Sequence, residues 1–373
     1  MSSLPPDGPH VPPPGVPPQV SARERSAAWP TATVAPRESR GVAFFVAIFL
    51  GILLVASAGL NVLLMLLSIG SIAGSAVGSD DSGVYDETHV AGDRNARTKV
   101  LQIAIHGAIA EAASAVMGGA GGTVTQVRRA LRQAAADNVE GLLLHIDSPG
   151  GGVTDSDEIY RMIVAFRREH PDVRVLALFG DMAASGGYYV AAAAQHIMAR
   201  RTSITGSIGV IMSAWNFAEA AKKFGIEQVA IKSERTPFKD ILSPTRPMRD
   251  DEHTMLVGIV DELYDQFVTV VDEGRSGMDR AQVLAVATGA IYTAPQALAN
   301  GLVDEIGDHE TAVAWFEKQL GKPVDIVERR RRVGLADLLF GAAARKPNSE
   351  QALASLLTAS TGPRFLYFWE GGR

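Results

Sequence analysis

From Gly41 to Ser79 the chain carries no charged side chain, and the apolar heart of that run, Val42 to Leu67, is long enough to cross a bilayer as a helix. In lipid the backbone polar groups must be satisfied within the segment itself, so such a run stands apart from whatever folds after it. The expected division is an arm (1–40), a transmembrane anchor with its flank (41–79), and an extramembrane remainder. The arm is proline-rich, with Pro12-Pro13-Pro14 and Pro17-Pro18, and buries too little apolar surface to fold; it reads as disordered or polyproline II. Arg23, Arg25, Arg37 and Arg40 precede the apolar run, and no lysine or arginine follows until Arg94. The positive-inside rule then predicts a single pass through the plasma (inner) membrane, with a cytoplasmic N-terminus and an extracytoplasmic remainder. A cleaved signal peptide is the competing reading, because Ser71 to Gly78 is rich in small residues. The length of the arm and of the apolar run favours an uncleaved anchor.

Composition excludes several classes of function. The chain has 373 residues and a formal net charge of −6, with no general basic footprint for nucleic acid. It has no cysteine, so disulfides, thiol catalysis and cysteine-bound metal are excluded. None of the eight histidines lies in a His-Glu-x-x-His pattern. No metal or cofactor is expected.

Beyond a polar linker (80–98), short apolar runs alternate with helical ones. Val100–Ile105, Gly141–Ile146, Val173–Phe179, His196–Ala199, Ile208–Met212 and Gln228–Ile231 read as strands. Thr123 to Gln126 has capping-box spacing and predicts a helix to about Asp137. Asp155 and Glu158 can cap a helix to about Arg168, and further helices are expected around Ala218–Phe224 and Glu252–Val271. Gly118 to Gly122 lacks the Gly-Lys-Ser/Thr ending of a phosphate loop and reads as a mobile loop. The alternation predicts an α/β fold with βαβ units over residues 99–328. The tail, 329–373, opens on the basic run Arg329–Arg332, read as a solvated face with membrane-surface contact as the lesser alternative. Its end, Phe365-Leu366-Tyr367-Phe368-Trp369, either packs against the domain or a subunit neighbour, or occupies an apolar substrate groove.

The chemistry centres on Ser185. It follows the run Val173–Phe179 and precedes Gly186-Gly187 and an alanine-rich helical run, the build of a nucleophile on a strand-to-helix elbow. A serine hydroxyl needs a base. His106 ends a strand and is the candidate for a classical triad, whereas His145 sits mid-strand and reads as a satisfied core histidine. Lys239, flanked by Phe238 and Ile241, is a second kind of base, because burial in apolar surroundings favours a neutral amine. Lys232 is its rival, and spacing does not choose between them. Gly151, in the turn Ser148-Pro149-Gly150-Gly151-Gly152, and Gly186 are the natural backbone donors for an oxyanion.

Together these stretches resemble the bacterial signal peptide peptidases of the SppA (protease IV) family. The matching segments are Ser148–Val153, Met182–Tyr189, Thr205–Val210, Lys239–Pro244 and Tyr292–Gly307, in that order within about residues 99–320. The resemblance implies a ClpP/crotonase-like β-α superhelix and a serine endopeptidase. It implies Ser185 as nucleophile, Lys239 as general base, Ser207 as the residue that orients the lysine amine, and Gly151 with Gly186 as the oxyanion hole. One copy of the homologous unit is present, as in the family's short form. That form implies a homo-oligomeric ring in which serine and lysine meet across a subunit boundary. The implied partners are hydrophobic signal peptides left in or at the membrane, and membrane lipid along residues 42–67. Three alternatives stand beside it: a membrane protease clipping one dedicated membrane-protein partner, a crotonase-like acyl-CoA enzyme, and a catalytically silent scaffold.

Overall fold

The computed structural model describes residues 44–61, 85–111, 122–331 and 365–368. The chain divides into two units, residues 1–79 and 80–373. In the first, α1 (Phe44–Asn61) is an 18-residue helix of mean hydropathy 2.3, long and apolar enough to cross a membrane. The arm, and residues 42–43 and 62–67 of the expected span, lie outside the described residues.

The second unit is built on parallel strands buried on both faces. β2 (Thr98–His106), β3 (Gly141–Ser148), β5 (Arg174–Ala184) and β6 (His196–Ala199) lie side by side in that order and run parallel. β11 (Val324–Arg331) joins β2 in parallel at one side, and β10 (Glu305–Ile306) joins β6 in parallel at the other. Helices carry the crossovers that such a sheet requires. Alternate side chains of β3 serve opposite faces. Leu142, Leu144 and Ile146 enter the larger core with α2 (Thr123–Ala136) and α3 (Val153–Glu169). Leu143 enters the second core, where Ala312 and Phe316 of α8 (His309–Leu320) pack.

Several sequence expectations shift. The expected linker contains β1 (Tyr85–Gly92), which pairs antiparallel with β11. The buried Asp325 carboxylate draws it in by accepting from His89 and Lys99, both at 2.6 Å. Arg329, expected to be solvated, bonds Asp137 and Glu87. The capping box at Thr123 is absent, because the helix starts one residue early with Gly122 at its N-cap. The N–H of Thr123 donates to Ala110 O at 3.2 Å instead. Glu158 pairs with Arg128 of α2 rather than capping α3.

The expected strand Ile208–Met212 is reduced to β8 (Ile211–Met212), and Gln228–Ile231 is not a strand. That segment belongs to an arm, residues 213–249, holding one short helix, α5 (Ala218–Lys223). A strand needs a neighbour for its main-chain polar groups, and here there is none among the described residues. Val229 and Ile231 stand 77% and 98% exposed. The chain returns through the long helix α6 (Asp250–Gly274) and a shorter one, α7 (Arg280–Val286).

Candidate active site

Ser185 sits where β5 ends and α4 (Gly186–Ala191) begins. β7 (Ile204–Gly206) extends the sheet there, pairing in parallel with β5 so that Ala184 lies opposite Gly206. The Ser185 N–H donates to Gly206 O at 2.8 Å. Ser185 takes φ 53° and ψ −117°, a backbone state that non-glycine residues rarely adopt. It is 1% exposed, and its hydroxyl has no hydrogen-bond partner among the described residues. Strain of this kind persists only where the surroundings enforce it. Here all six residues of α4 are buried, and two tyrosine hydroxyls anchor it: Tyr188 donates to Leu302 O at 2.7 Å and Tyr189 to Asp157 Oδ1 at 2.8 Å. Burial pushes the Tyr188 hydroxyl well above the usual tyrosine range, so it remains a donor.

Ser207 is beside Ser185, one step past the Ala184–Gly206 pair. It is also buried and also has positive φ, at 51°. Its N–H donates to Ala290 O at 2.7 Å, tying it to the segment before β9 (Ile291–Thr293).

The glycine turn forms a third wall. β4 (Gly150–Gly152) is clamped along one edge by Ile109, whose N–H donates to Gly150 O at 2.8 Å and whose carbonyl accepts from Gly152 N at 2.9 Å. A Cβ on Gly151 would stand 2.0 Å from Ile109 O, so only glycine permits this approach. A Cβ on Gly187 would come within 2.9 Å of Ser148 O, so the start of α4 rests directly on the turn. Because its neighbours bond Ile109, Gly151 turns its own N–H and C=O to the opposite edge. Gly186 opens α4, so its N–H has no intrahelical acceptor. Sequence reasoning named Ser148 only as part of a motif. Its buried hydroxyl donates to Gly107 O at 2.6 Å and accepts from Gly150 N at 3.0 Å, pinning the turn to the end of β2.

The two candidate lysines differ sharply. Lys232 donates to Pro237 O at 2.8 Å and is paired with Asp240. The Lys232 ammonium, and then Arg246, hold the Asp240 carboxyl far below its ordinary range. Arg246 also reaches Glu252, the capping carboxylate of α6, and holds it down to about 2. Lys239 stands next to this network and outside it. It is exposed and makes no ion pair or side-chain hydrogen bond among the described residues, and none links it to Ser185 or Ser207.

The histidine alternative fails on geometry. His106 is exposed and bonds His145 Nδ1 at 3.1 Å rather than a serine. His145 is less satisfied than expected, since its buried Nε2 has no partner.

The tail supplies what spacing alone did not reveal. β12 (Phe365–Phe368) is antiparallel to β4 on one side, with Tyr367 opposite Gly151, and to β8 on the other.

The model of peptidase family S49 matches residues 167–322. A candidate protease of Synechocystis sp. is 39% identical over 232 residues, covering 62% of this chain and 78% of that protein. A candidate signal peptide peptidase SppA of Enterococcus faecium is 39% identical over 181 residues, covering 48% and 51%. Protease 4 of Haemophilus influenzae is 30% identical over 238 residues, covering 62% and 36%. The chain thus spans most of the first relative but only about half of the second and a third of the third. Among solved structures, a membrane-bound stomatin-specific protease has a TM-score of 0.38 at 16% identity, covering 58% of this chain and 83% of that one. ClpP1 of Listeria monocytogenes has a TM-score of 0.36 at 15% identity, covering 56% and 91%.

Proposed function

This chain belongs to peptidase family S49, and on that premise we propose that it is a membrane-anchored serine endopeptidase working through a Ser185–Lys239 dyad. The observation that carries the reading is the buried, strained Ser185 at a strand-to-helix elbow, its hydroxyl unengaged and a glycine strand beside it. Neutral Lys239 takes the Ser185 proton as Oγ attacks a peptide carbonyl. The N–H groups of Gly151 and Gly186 receive the oxyanion. The lysine then gives its proton to the leaving amine, and water hydrolyses the acyl ester by the reverse sequence. Ser207, next to Ser185 at the sheet edge, orients the lysine amine. The scheme calls for no metal or cofactor.

The dyad is completed across a subunit boundary in a homo-oligomeric ring. Two features support this: Lys239 has no side-chain partner among the described residues, and the arm that bears it exposes Trp215, Phe224, Val229 and Ile231. Exposed apolar surface on this scale suits burial against a second copy. α1 supplies the anchor, with the catalytic unit on the extracytoplasmic side of the plasma membrane. The substrates are extended apolar peptides, foremost remnant signal peptides in or at the membrane.

The test is intact-mass spectrometry of the detergent-solubilised full chain after fluorophosphonate treatment, with site mapping. A single adduct on Ser185, lost in Ser185→Ala and strongly slowed in Lys239→Ala, is expected. An adduct at another serine, or none on an oligomeric folded sample, overturns the assignment.

A further inference from the structure

We propose that Asp157 is a positioning residue for the oxyanion site: by binding Tyr189 it holds α4, and with it Gly186, against the glycine strand, and so sets the spacing of the two donors. The inference rests on the peptidase reading above and deepens it.

The need arises from where the two donors stand. Gly151 belongs to β4 and Gly186 to α4, elements far apart in sequence. An oxyanion must meet both N–H groups at about 2.7–3.1 Å, so their separation has little tolerance. A strand and a helix share no main-chain ladder, and side chains must therefore hold the two together. α4 has six residues and no side-chain cap at Ser185, too short to keep its direction unaided. β4 leads straight into α3, with Gly152 at the N-cap. Whatever ties α3 to α4 thus ties Gly151 to Gly186. The close approach of Gly187 to Ser148 O is one fixed point, and a direction needs a second.

Asp157 of α3 supplies it. Its Oδ1 accepts from the Tyr189 hydroxyl at 2.8 Å and from Gln266 Nε2 at 3.1 Å, and Gln266 also donates to the Tyr189 hydroxyl at 3.2 Å. Gln266 lies on α6, which brings the chain back from the arm that bears Lys239. One carboxylate oxygen therefore joins three helices: the one that follows the glycine strand, the one that follows the nucleophile, and the one that follows the candidate base. Bonds to an ionised acceptor are stronger than neutral ones, which suits a fixed joint. The Tyr189 ring is fully buried, with the rings of Tyr160 and Phe267 at 5.4 and 5.0 Å between centroids. Its N–H donates to Ser185 O at 2.9 Å, so a shift of the tyrosine reaches the nucleophile's own peptide. Tyr188 bonds Leu302 O instead and ties α4 to the scaffold, not to the glycine strand. Arg161 donates to the other oxygen, Oδ2, at 2.6 Å with its side chain 70% exposed, and takes no part in the joint.

The test uses the full chain in detergent, as the parent and as Asp157→Ala, Asp157→Asn, Tyr189→Phe and Arg161→Ala. Each is read on an apolar fluorogenic peptide and on the matching peptide boronic acid, whose tetrahedral adduct with Ser185 Oγ places a hydroxyl where the oxyanion forms. Asp157→Ala and Tyr189→Phe should lower kcat about 10- to 100-fold and leave KM within about twofold. Both should weaken boronate binding by the same factor as kcat/KM, because the adduct resembles the transition state. Asp157→Asn keeps an acceptor for Tyr189 and should recover most of the loss, and Arg161→Ala should match the parent. Tyr189→Phe is nearly isosteric and carries the test should Asp157→Ala not fold. A fall in kcat without a matching loss of boronate affinity, a loss carried by KM alone, or Asp157→Asn no better than Asp157→Ala overturns the proposal. An active parent with unchanged variants removes this inference alone. A parent that neither cleaves the peptide nor binds the boronate removes the peptidase reading and this inference with it.

Discussion

Ser185 and Ser207 leave neighbouring parallel strands at the same level, one step past the Ala184–Gly206 pair, and both do so with positive φ, at 53° and 51°. Two strained serines side by side are costly unless the site needs them, at about 1–3 kcal/mol each. The bond from Ser185 N to Gly206 O fixes one elbow against the other. The ends of the two strands are thereby held together at the residues that carry both serines.

That strain separates stability from catalysis. Ser185→Gly should raise thermal stability by about 1 kcal/mol, since glycine takes positive φ without penalty. It should abolish turnover, as should Ser185→Ala, by at least about a thousandfold. Thermal melts of the two variants beside the parent check this. If Ser185→Gly melts lower than Ser185→Ala, the backbone is not strained as described.

The lysines make opposite predictions. Lys239→Ala removes no side-chain bond to any of the described residues, so the fold should be unchanged within about 0.5 kcal/mol while activity is lost. Lys232→Ala takes away a partner of Asp240 and a donor to Pro237 O, so it should loosen the 232–249 segment to proteolysis while leaving more activity than Lys239→Ala. Limited proteolysis and turnover measured together decide it. A dead Lys232→Ala beside an active Lys239→Ala would reverse the assignment of the base.

The parallel sheet was legible because its strands are short, mostly apolar runs between helical ones, as in Gly141–Ile146 and Val173–Phe179. The elbow was legible because serine followed by two glycines and alanines has few other uses. The partnership of β1 with β11 was not, since it depends on the buried Asp325 collecting His89 and Lys99 from distant segments. The strand at Gln228–Ile231 was read from β-propensity, which has no force where no neighbour supplies hydrogen bonds. Ser148 was visible only as part of a motif, because its two bonds, to Gly107 and Gly150, are set by how β2 and β3 are aligned.

The glycine strand gives the next prediction. Ser148→Ala leaves Gly107 O and Gly150 N without their buried partner and should cost about 1–3 kcal/mol, with kcat falling more than KM rises. Gly151→Ala forces a methyl against Ile109 O and should be worse in both respects. Denaturant melts and steady-state kinetics of both variants test this. Full activity in Gly151→Ala would remove that residue from the oxyanion site.

The acid limb of the stability curve should be set in part by His145. Burial, and then the charges of His106, His309 and Arg200, push its pKa down from 6.5 to about 4, against an opposing pull from Asp147. The neutral ring is therefore the folded form, consistent with a buried Nε2 that has no acceptor for a second proton. Between these two values the unfolded chain binds more protons than the folded one, so stability is full above about pH 6.5 and falls as the pH drops toward about 4. With a discount for the exposed part of the ring, the loss should be on the order of 2 kcal/mol. Below about pH 4.5 a second loss begins, because the unfolded chain's Glu252 then takes up a proton while Arg246 keeps the folded carboxylate ionised down to about 2. In the window from about pH 6.5 to 4.5 the loss comes from His145 together with His309, whose pKa burial and then Arg200 also lower, so a variant of His145 alone should remove its own share of the slope. His145→Asn keeps a polar atom near Nδ1 for His106 but cannot titrate, so it should lessen the dependence of the melting temperature on pH across that window. An unchanged slope would assign the acid sensitivity to other groups.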